Sequence, residues 1–189
     1  MNIQQTSLPG VLLIEPQVFG DERGWFLENW NRSNHDQTGL PDHFAQANTS
    51  HSRRGVLRGL HYQWPEPQGK LVWVTEGRVF DVAVDIRSDS ATFGQWFGTE
   101  LSAENHRQLW IPEGFAHGFL VLSARATFTY LCTRSYYPEY DASIAWNDPE
   151  IGIDWPEQPT ELSSKDQQAS TLEQVCQTNK ENLPQCASC

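Results

Sequence analysis

The stretch Lys70-Leu71-Val72-Trp73-Val74-Thr75-Glu76-Gly77-Arg78-Val79-Phe80-Asp81-Val82-Ala83-Val84-Asp85-Ile86 decides the fold class. It is rich in β-branched and aromatic residues and carries a turn residue at Gly77, which reads as strand rather than helix. Its second half alternates: Phe80, Val82, Val84 and Ile86 share one parity, and Asp81 and Asp85 share the other. Alternate residues of a strand point to opposite faces of the sheet. A polar parity then faces either water or the polar lumen of a closed barrel or jelly roll. The pattern leaves both open.

Working outward, the same texture recurs. β-rich runs occupy Val11–Ile14, Trp25–Trp30, Phe44–Thr49, Val56–Trp64, Trp96–Leu101, Gln108–Ile111, Gly118–Leu122, Thr127–Thr133 and Ser143–Trp146. Gly or Pro marks most boundaries, among them Gly24, Pro65, Gly69, Gly94, Pro112 and Pro138. In Thr127–Thr133, Phe128, Tyr130 and Cys132 share a parity opposite to the threonines. Many short strands with frequent turn signals indicate an all-β antiparallel sandwich or barrel.

After Trp155-Pro156 the composition turns polar. Ser170-Thr171-Leu172-Glu173 has capping-box spacing, and Leu172, Val175 and Cys176 follow at helical offsets. The expectation is one domain over residues 1–165, followed by a short C-terminal helix and a tail over 166–189. Residues 185–189 are expected to lack fixed structure.

The chain's 189 residues suit one domain, and 12% aromatic content is too high for disorder. The net charge of −11 sits mainly in the C-terminal part, with no broad basic face, so a nucleic-acid partner is not expected. Six of the thirteen bases lie between Arg23 and Lys70, a local enrichment suited to a small anionic ligand. No apolar stretch approaches the roughly 18–20 residues that span a bilayer, and no secretory signal is visible. A cytoplasmic location without membrane contact is the expectation. Cys132 reads as a small buried hydrophobe. Cys176, Cys186 and Cys189 form a lone CxxC neighbourhood with no second Cys or His pair, a weak metal signal. No metal is expected.

Nucleotide-binding glycine loops, nucleophile elbows and zinc-protease motifs do not occur in the sequence. His35, His43, His51 and His106 lie in polar, turn-like contexts and read as solvated. His61 and His117 instead sit in β-rich runs, and His61 lacks the HxH partner of a cupin metal site. Lys70 opens the strand that follows the His61 strand, and Tyr130 sits mid-strand among apolar residues. Singly, each reads as an ordinary structural residue. Jointly, a His base, a Lys cation and a Tyr acid make a kit for proton transfer beside a ketone.

The sequence carries Val18-Phe19-Gly20-Asp21-Glu22-Arg23-Gly24, Gly55-Val56-Leu57-Arg58-Gly59-Leu60-His61-Tyr62-Gln63 and Gly69-Lys70-Leu71-Val72. Gln108-Leu109-Trp110-Ile111-Pro112-Glu113-Gly114-Phe115-Ala116-His117-Gly118-Phe119, Trp146-Asn147-Asp148-Pro149 and Leu162-Ser163-Ser164-Lys165-Asp166 follow in order. On these motifs the chain closely resembles the dTDP-4-dehydrorhamnose 3,5-epimerases. The resemblance implies a cupin-like antiparallel jelly roll without metal or cofactor, and a homodimer with strand exchange. It implies inversion of C3 and C5 of dTDP-4-dehydro-6-deoxy-D-glucose to give dTDP-4-dehydro-L-rhamnose. His61 would be the base, with Asp166 or Asp85 as its carboxylate partner, Tyr130 the acid, and Lys70 the group that steadies the C4 enolate. Arg23, Glu28, Gln46, Asn48, Arg58, His117, Asp141 and Lys165 would surround the nucleotide sugar, and Tyr136 would stack on thymine. Departures from the family pattern are Ala47, the Pro-rich turn Trp64–Gln68 and the cysteine-bearing tail. A relative that inverts one carbon or moves the ketone, and a non-catalytic sugar-nucleotide module, are the other readings.

Overall fold

The run Lys70–Ile86 folds as two strands joined at Gly77, where φ is +75°. A Cβ at that position would lie 2.0 Å from the Arg125 carbonyl oxygen, so only glycine makes the turn. The computed structural model describes residues 1–34, 38–179 and 183–185. In it the strands form an antiparallel sandwich.

The six-stranded sheet runs β1 (Asn2–Gln5), β2 (Leu12–Glu15), β10 (Gln108–Ile111), β7 (Lys70–Glu76), β12 (Arg125–Cys132) and β5 (Gln46–Arg53). The five-stranded sheet runs β13 (Asp141–Ser143), β6 (Leu57–Gln63), β11 (Phe115–Val121), β8 (Arg78–Asp85) and β9 (Trp96–Ser102). Apart from the β1–β2 and β8–β9 pairs, neighbours within a sheet are far apart in sequence, as a jelly roll requires. Among the described residues, helices α1 (Ser164–Gln167) and α2 (Leu172–Asn179) follow the strands.

Between the sheets, Val72 and Val74 of β7 and Phe128 of β12 meet Val79 and Ala83 of β8 and Phe119 of β11. Phe119 and Phe128 stack with ring centroids 4.2 Å apart. This apolar packing fills one end of the interior. Towards the other end the inward-facing residues become polar: Lys70, Tyr130, Cys132, Asn48, His61 and His117.

The question left open at β8 is settled by the fold. Asp81 and Asp85 are both fully buried, and their parity faces the space between the sheets. The apolar parity faces outward and is covered by the C-terminal part of the chain. Leu60, Tyr62, Val82, Val84 and Ile86 pack there against Ile144, Ile151, Leu172 and Leu183. Burial of each such aliphatic side chain contributes about 1.5–3 kcal/mol, which holds the C-terminal segment on the sheet.

Several expected boundaries move. The capping box of α2 is built by Thr171 and Gln174, one residue later than expected. Ser170 is occupied elsewhere: it bridges to Ile144, and its carbonyl accepts from the Ala145 N–H. The strand expected at Phe44–Thr49 runs on to Arg53, because all eight residues pair with β12. The strand expected at Ser143–Trp146 falls earlier, at Asp141–Ser143, where it pairs with β6.

The hairpin of β3 (Val18–Asp21) and β4 (Gly24–Leu27) pairs with neither sheet. It leaves Phe19, Trp25 and Phe26 largely exposed. His51 lies in β5 rather than a turn, exposed and bonded to Thr127. His106 is half-buried and packs on the Trp25 ring rather than standing in water. His35, Cys186 and Cys189 lie outside the described residues. Cys132 is buried, as expected. Among the described residues no three metal-ligating side chains cluster. No helix there is long and apolar enough to cross a membrane.

Candidate active site

Arg58 and His61 are three apart in β6, so a regular strand would send them to opposite faces. A bulge changes this. Pairing with β11 goes from His117–His61 to Phe119–Arg58, which leaves Gly59 and Leu60 opposite Gly118 alone. The irregularity turns both Arg58 and His61 inward, the use to which bulges beside sites are put. Gly59 has φ +132°, and a Cβ on it would sit 2.5 Å from Gly118 Cα. Two facing glycines therefore set the spacing behind the histidine.

Asp166 comes from the first turn of α1, capped by Ser163, whose hydroxyl accepts from the Asp166 N–H. Its carboxylate, 2% exposed, lies 2.6 Å from His61 Nε2. Burial by itself would raise the Asp166 carboxyl. The bonds from His61, Ser163 and the Gly59 N–H outweigh that and hold it below the ordinary carboxylate value. It therefore stands as an anion behind the imidazole, whose other ring nitrogen is bonded by no described residue. Asp85, the other candidate partner, is bound instead to Arg87, Ser90 and Thr92.

His61 opens onto a cavity of about 300 Å³. Tyr130 and Lys70 line it from the six-stranded sheet, so they stand on the sheet opposite to His61. Desolvation pushes the Tyr130 phenol up, so it keeps its proton at neutral pH. Desolvation pushes the Lys70 ammonium down, offset in part by Cys132, Asp141 and Asp81. No described residue hydrogen-bonds the Lys70 ammonium or the Tyr130 hydroxyl. Both groups therefore have donor hydrogens to offer a substrate held in the cavity.

The rim is polar. Gln46 Nε2 donates to Asn48 Oδ1 at 2.8 Å, and Asn48 Nδ2 donates to Cys132 Sγ at 3.7 Å. Asp141 accepts from the Tyr136 hydroxyl at 3.0 Å and from Lys165 Nζ at 2.5 Å. Arg58, in the adjoining cleft, donates to Ser52 Oγ. Of the residues named from sequence, His61, Lys70, Tyr130, Gln46, Asn48, Tyr136 and Asp141 line this cavity. Asp166, Arg58 and Lys165 are tied to it or to the adjoining cleft around His61.

Three residues fall elsewhere. His117 is buried beneath the cavity, stacked on Phe128 and 2.9 Å from Asp81. Arg23 sits on the β3–β4 hairpin, paired with Asp21 and almost fully exposed. Glu28 follows the hairpin and accepts from Asn31 and Asn34. Sequence reasoning missed Tyr62, Gln63 and Gln68, which also line the cavity. The HYQ triplet carries the first two beside His61, but Tyr62 and Gln63 read there as plain strand residues.

A family model described as dTDP-4-dehydrorhamnose 3,5-epimerase matches residues 5–174. The chain is 56% identical over 174 residues to the dTDP-4-dehydrorhamnose 3,5-epimerase of Pseudomonas aeruginosa, covering 91% of this chain and 96% of that one. Its fold is similar to the crystal structure of dTDP-6-deoxy-D-glucose-3,5-epimerase from Legionella pneumophila in complex with dTDP-4-keto-L-rhamnose. That match has a TM-score of 0.93 and 51% identity, and covers 99% of both chains. It is also similar to ChmJ, a 3'-monoepimerase from Streptomyces bikiniensis in complex with dTDP-quinovose. There the TM-score is 0.88 at 34% identity, over 95% of this chain and 91% of that one.

Proposed function

This chain belongs to the dTDP-4-dehydrorhamnose 3,5-epimerase family, and from that premise we propose how its residues divide the work. The reaction inverts C3 and C5 of dTDP-4-dehydro-6-deoxy-D-glucose to give dTDP-4-dehydro-L-rhamnose. Both carbons flank the C4 ketone, so loss of either proton gives an enolate. The ketone itself supplies the acidity, and the chemistry calls for no metal or cofactor.

His61 removes the proton from one face, and the imidazolium so formed is balanced by the Asp166 anion 2.6 Å behind it. The C–H electron pair moves into the enolate, whose oxygen is met by the Lys70 ammonium. Tyr130 returns a proton to the same carbon from the opposite face, which inverts it. Each inversion leaves a protonated His61 and a Tyr130 phenolate, which exchange with solvent before the second. The observation that carries the reading is the placement of His61 on one sheet and of Tyr130 and Lys70 on the other.

Arg58 grips the diphosphate, for which a guanidinium fork is well shaped. Tyr136 stacks on thymine, with Asp141 and Lys165 fixing its hydroxyl end, and Gln46 and Asn48 bind along the rim. His117 acts from beneath, through its pair with Asp81. Arg23 and Glu28 belong to the site of a second copy: the β3–β4 hairpin, with Phe19, Trp25 and Phe26 uncovered, supports a homodimer in which hairpins are exchanged. The cytoplasm, where nucleotide sugars are made, completes the proposal.

The likeness to a 3'-monoepimerase keeps inversion at one carbon as the second reading. Proton NMR of the substrate incubated with the protein in D2O decides. Deuterium at both C3 and C5, with the L-rhamno product, supports the double epimerase. Label at one carbon only makes it a single-site enzyme, and no label from folded protein removes the enzymatic reading.

A further inference from the structure

Gln63 ends β6, two residues from His61, and is 4% exposed. Its carboxamide is fully committed to the backbone of two loops. Nε2 donates to the Glu66 carbonyl at 2.5 Å and to the Ser135 carbonyl at 3.3 Å. Oε1 accepts from the Tyr137 N–H at 2.8 Å. One buried side chain thus joins the strand, the turn 64–69 and the segment 133–137.

Other bonds run along the same seam. Gln68 Nε2 donates to the Arg134 carbonyl, Arg134 pairs with Glu66 at 2.8 Å, and the Tyr136 N–H donates to Gln46 Oε1. The seam holds up the rim of the cavity from which Gln68 and Tyr136 face inward. Tyr136 has no packing of comparable strength: its side chain is half exposed, and among the described residues its hydroxyl bonds Asp141 alone.

We propose that Gln63 is a positioning residue that fixes the 133–137 segment and so presents the Tyr136 ring to the nucleotide base. This rests on the reading of Tyr136 as the thymine-stacking residue. Gln63 acts on the nucleotide end, because both Nε2 hydrogens and Oε1 are engaged by the rim segments that carry Gln68 and Tyr136. A buried carboxamide with donors and acceptor satisfied is costly to replace. Removing it leaves two carbonyls and one N–H without partners at the seam.

The test is a double-mutant cycle on dTDP affinity by calorimetry, with Gln63→Met, Tyr136→Ala and the double variant, together with steady-state kinetics. Gln63→Met keeps the length and removes the donors. It is expected to weaken dTDP about tenfold, or roughly 1.4 kcal/mol, and to raise KM to match while kcat at saturation is retained. Tyr136→Ala weakens dTDP as well, and the double variant is no weaker than Tyr136→Ala alone. Losses that add in full in the double variant overturn the proposal, since independent sites add. So does an equal fall in kcat, which would place Gln63 on the reacting end. Unchanged affinity in Gln63→Met, with Tyr136→Ala weakened, sinks the positioning role alone; unchanged affinity in Tyr136→Ala sinks the stacking reading with it. Should Gln63→Met fail to fold, Arg134→Ala loosens the same seam from the surface. It is then expected to weaken dTDP in the same direction, and no change there overturns the proposal.

Discussion

Replacing Asp166 by Asn isolates the charge behind the base. The two side chains have the same shape, and Asn retains an oxygen that accepts from His61 Nε2. The anion is lost. In the native protein that carboxylate is 2% exposed and 2.6 Å from the ring, the short separation of a charge-assisted bond. A hydrogen bond to a charged partner exceeds a neutral one by about 1–1.5 kcal/mol, roughly a tenfold effect on rate. Taking instead the bare attraction between imidazolium and carboxylate at an effective dielectric of 20 and about 4 Å gives about 4 kcal/mol, or nearly a thousandfold. The loss in kcat is therefore expected between roughly ten- and a thousandfold, with dTDP affinity unchanged because the Asp166 carboxylate is buried behind the imidazole. The assay is the rate of deuterium entry at C3 and C5 in D2O. A kcat within about twofold of wild type would refute the electrostatic role. A parallel loss of dTDP binding would show that the site had collapsed. The same residue carries an acid signature. Its folded carboxyl lies below its unfolded value, so the stability it contributes is present above the unfolded value and is lost as pH falls through the folded one. Asp166→Asn should therefore flatten the acid limb of thermal stability.

Further predictions test the remaining parts of the site. Tyr130→Phe is expected to exchange deuterium at C3 without completing inversion, and simultaneous loss of both would make Tyr130 positional. In that variant the exchange rate should fall at a pH below the ordinary lysine value of about 10.4, because burial lowers Lys70; a limb at or above that value would remove Lys70 from the enolate. Gly59→Ala forces a Cβ to 2.5 Å from Gly118 Cα at φ +132°. It should lower the melting temperature by roughly 5–10 °C, on a cost of about 2–3 kcal/mol, and an unchanged melting temperature would refute the close approach. If hairpins are exchanged, mixing inactive Arg23→Ala and His61→Ala chains under conditions of subunit exchange should restore activity from one intact site per heterodimer. Mixtures that stay inactive would place Arg23 outside the partner's cavity.

Much of this protein could be read from its residues alone. The β-rich runs between glycines and prolines specify an antiparallel all-β chain, because period-2 patterning and turn chemistry are local properties. The helix at Leu172–Asn179 was legible for the same reason, although its cap fell one residue late once Ser170 was engaged by Ile144. His61, Lys70 and Tyr130 stood out because catalytic residue types sat in apolar strands. Other features depend on contacts between segments distant in sequence. Which parity of β8 faced the lumen was undecidable until the C-terminal segment was seen covering the apolar side. The choice between Asp85 and Asp166 turned on distance: Asp85 is consumed by its own loop, whereas Asp166 arrives 105 residues after His61. The bulge at Gly59 reverses the facing that strict alternation assigns to Arg58 relative to His61, and no period in the sequence announces it. Gln63 read as one more strand residue, since the loops it joins become neighbours only when the two sheets stack. The alphabet of the chain determined the strands and the chemical groups on offer, because both depend on near neighbours. Their orientation towards one cavity was decided by tertiary packing, because direction in a sandwich is set by what covers each face.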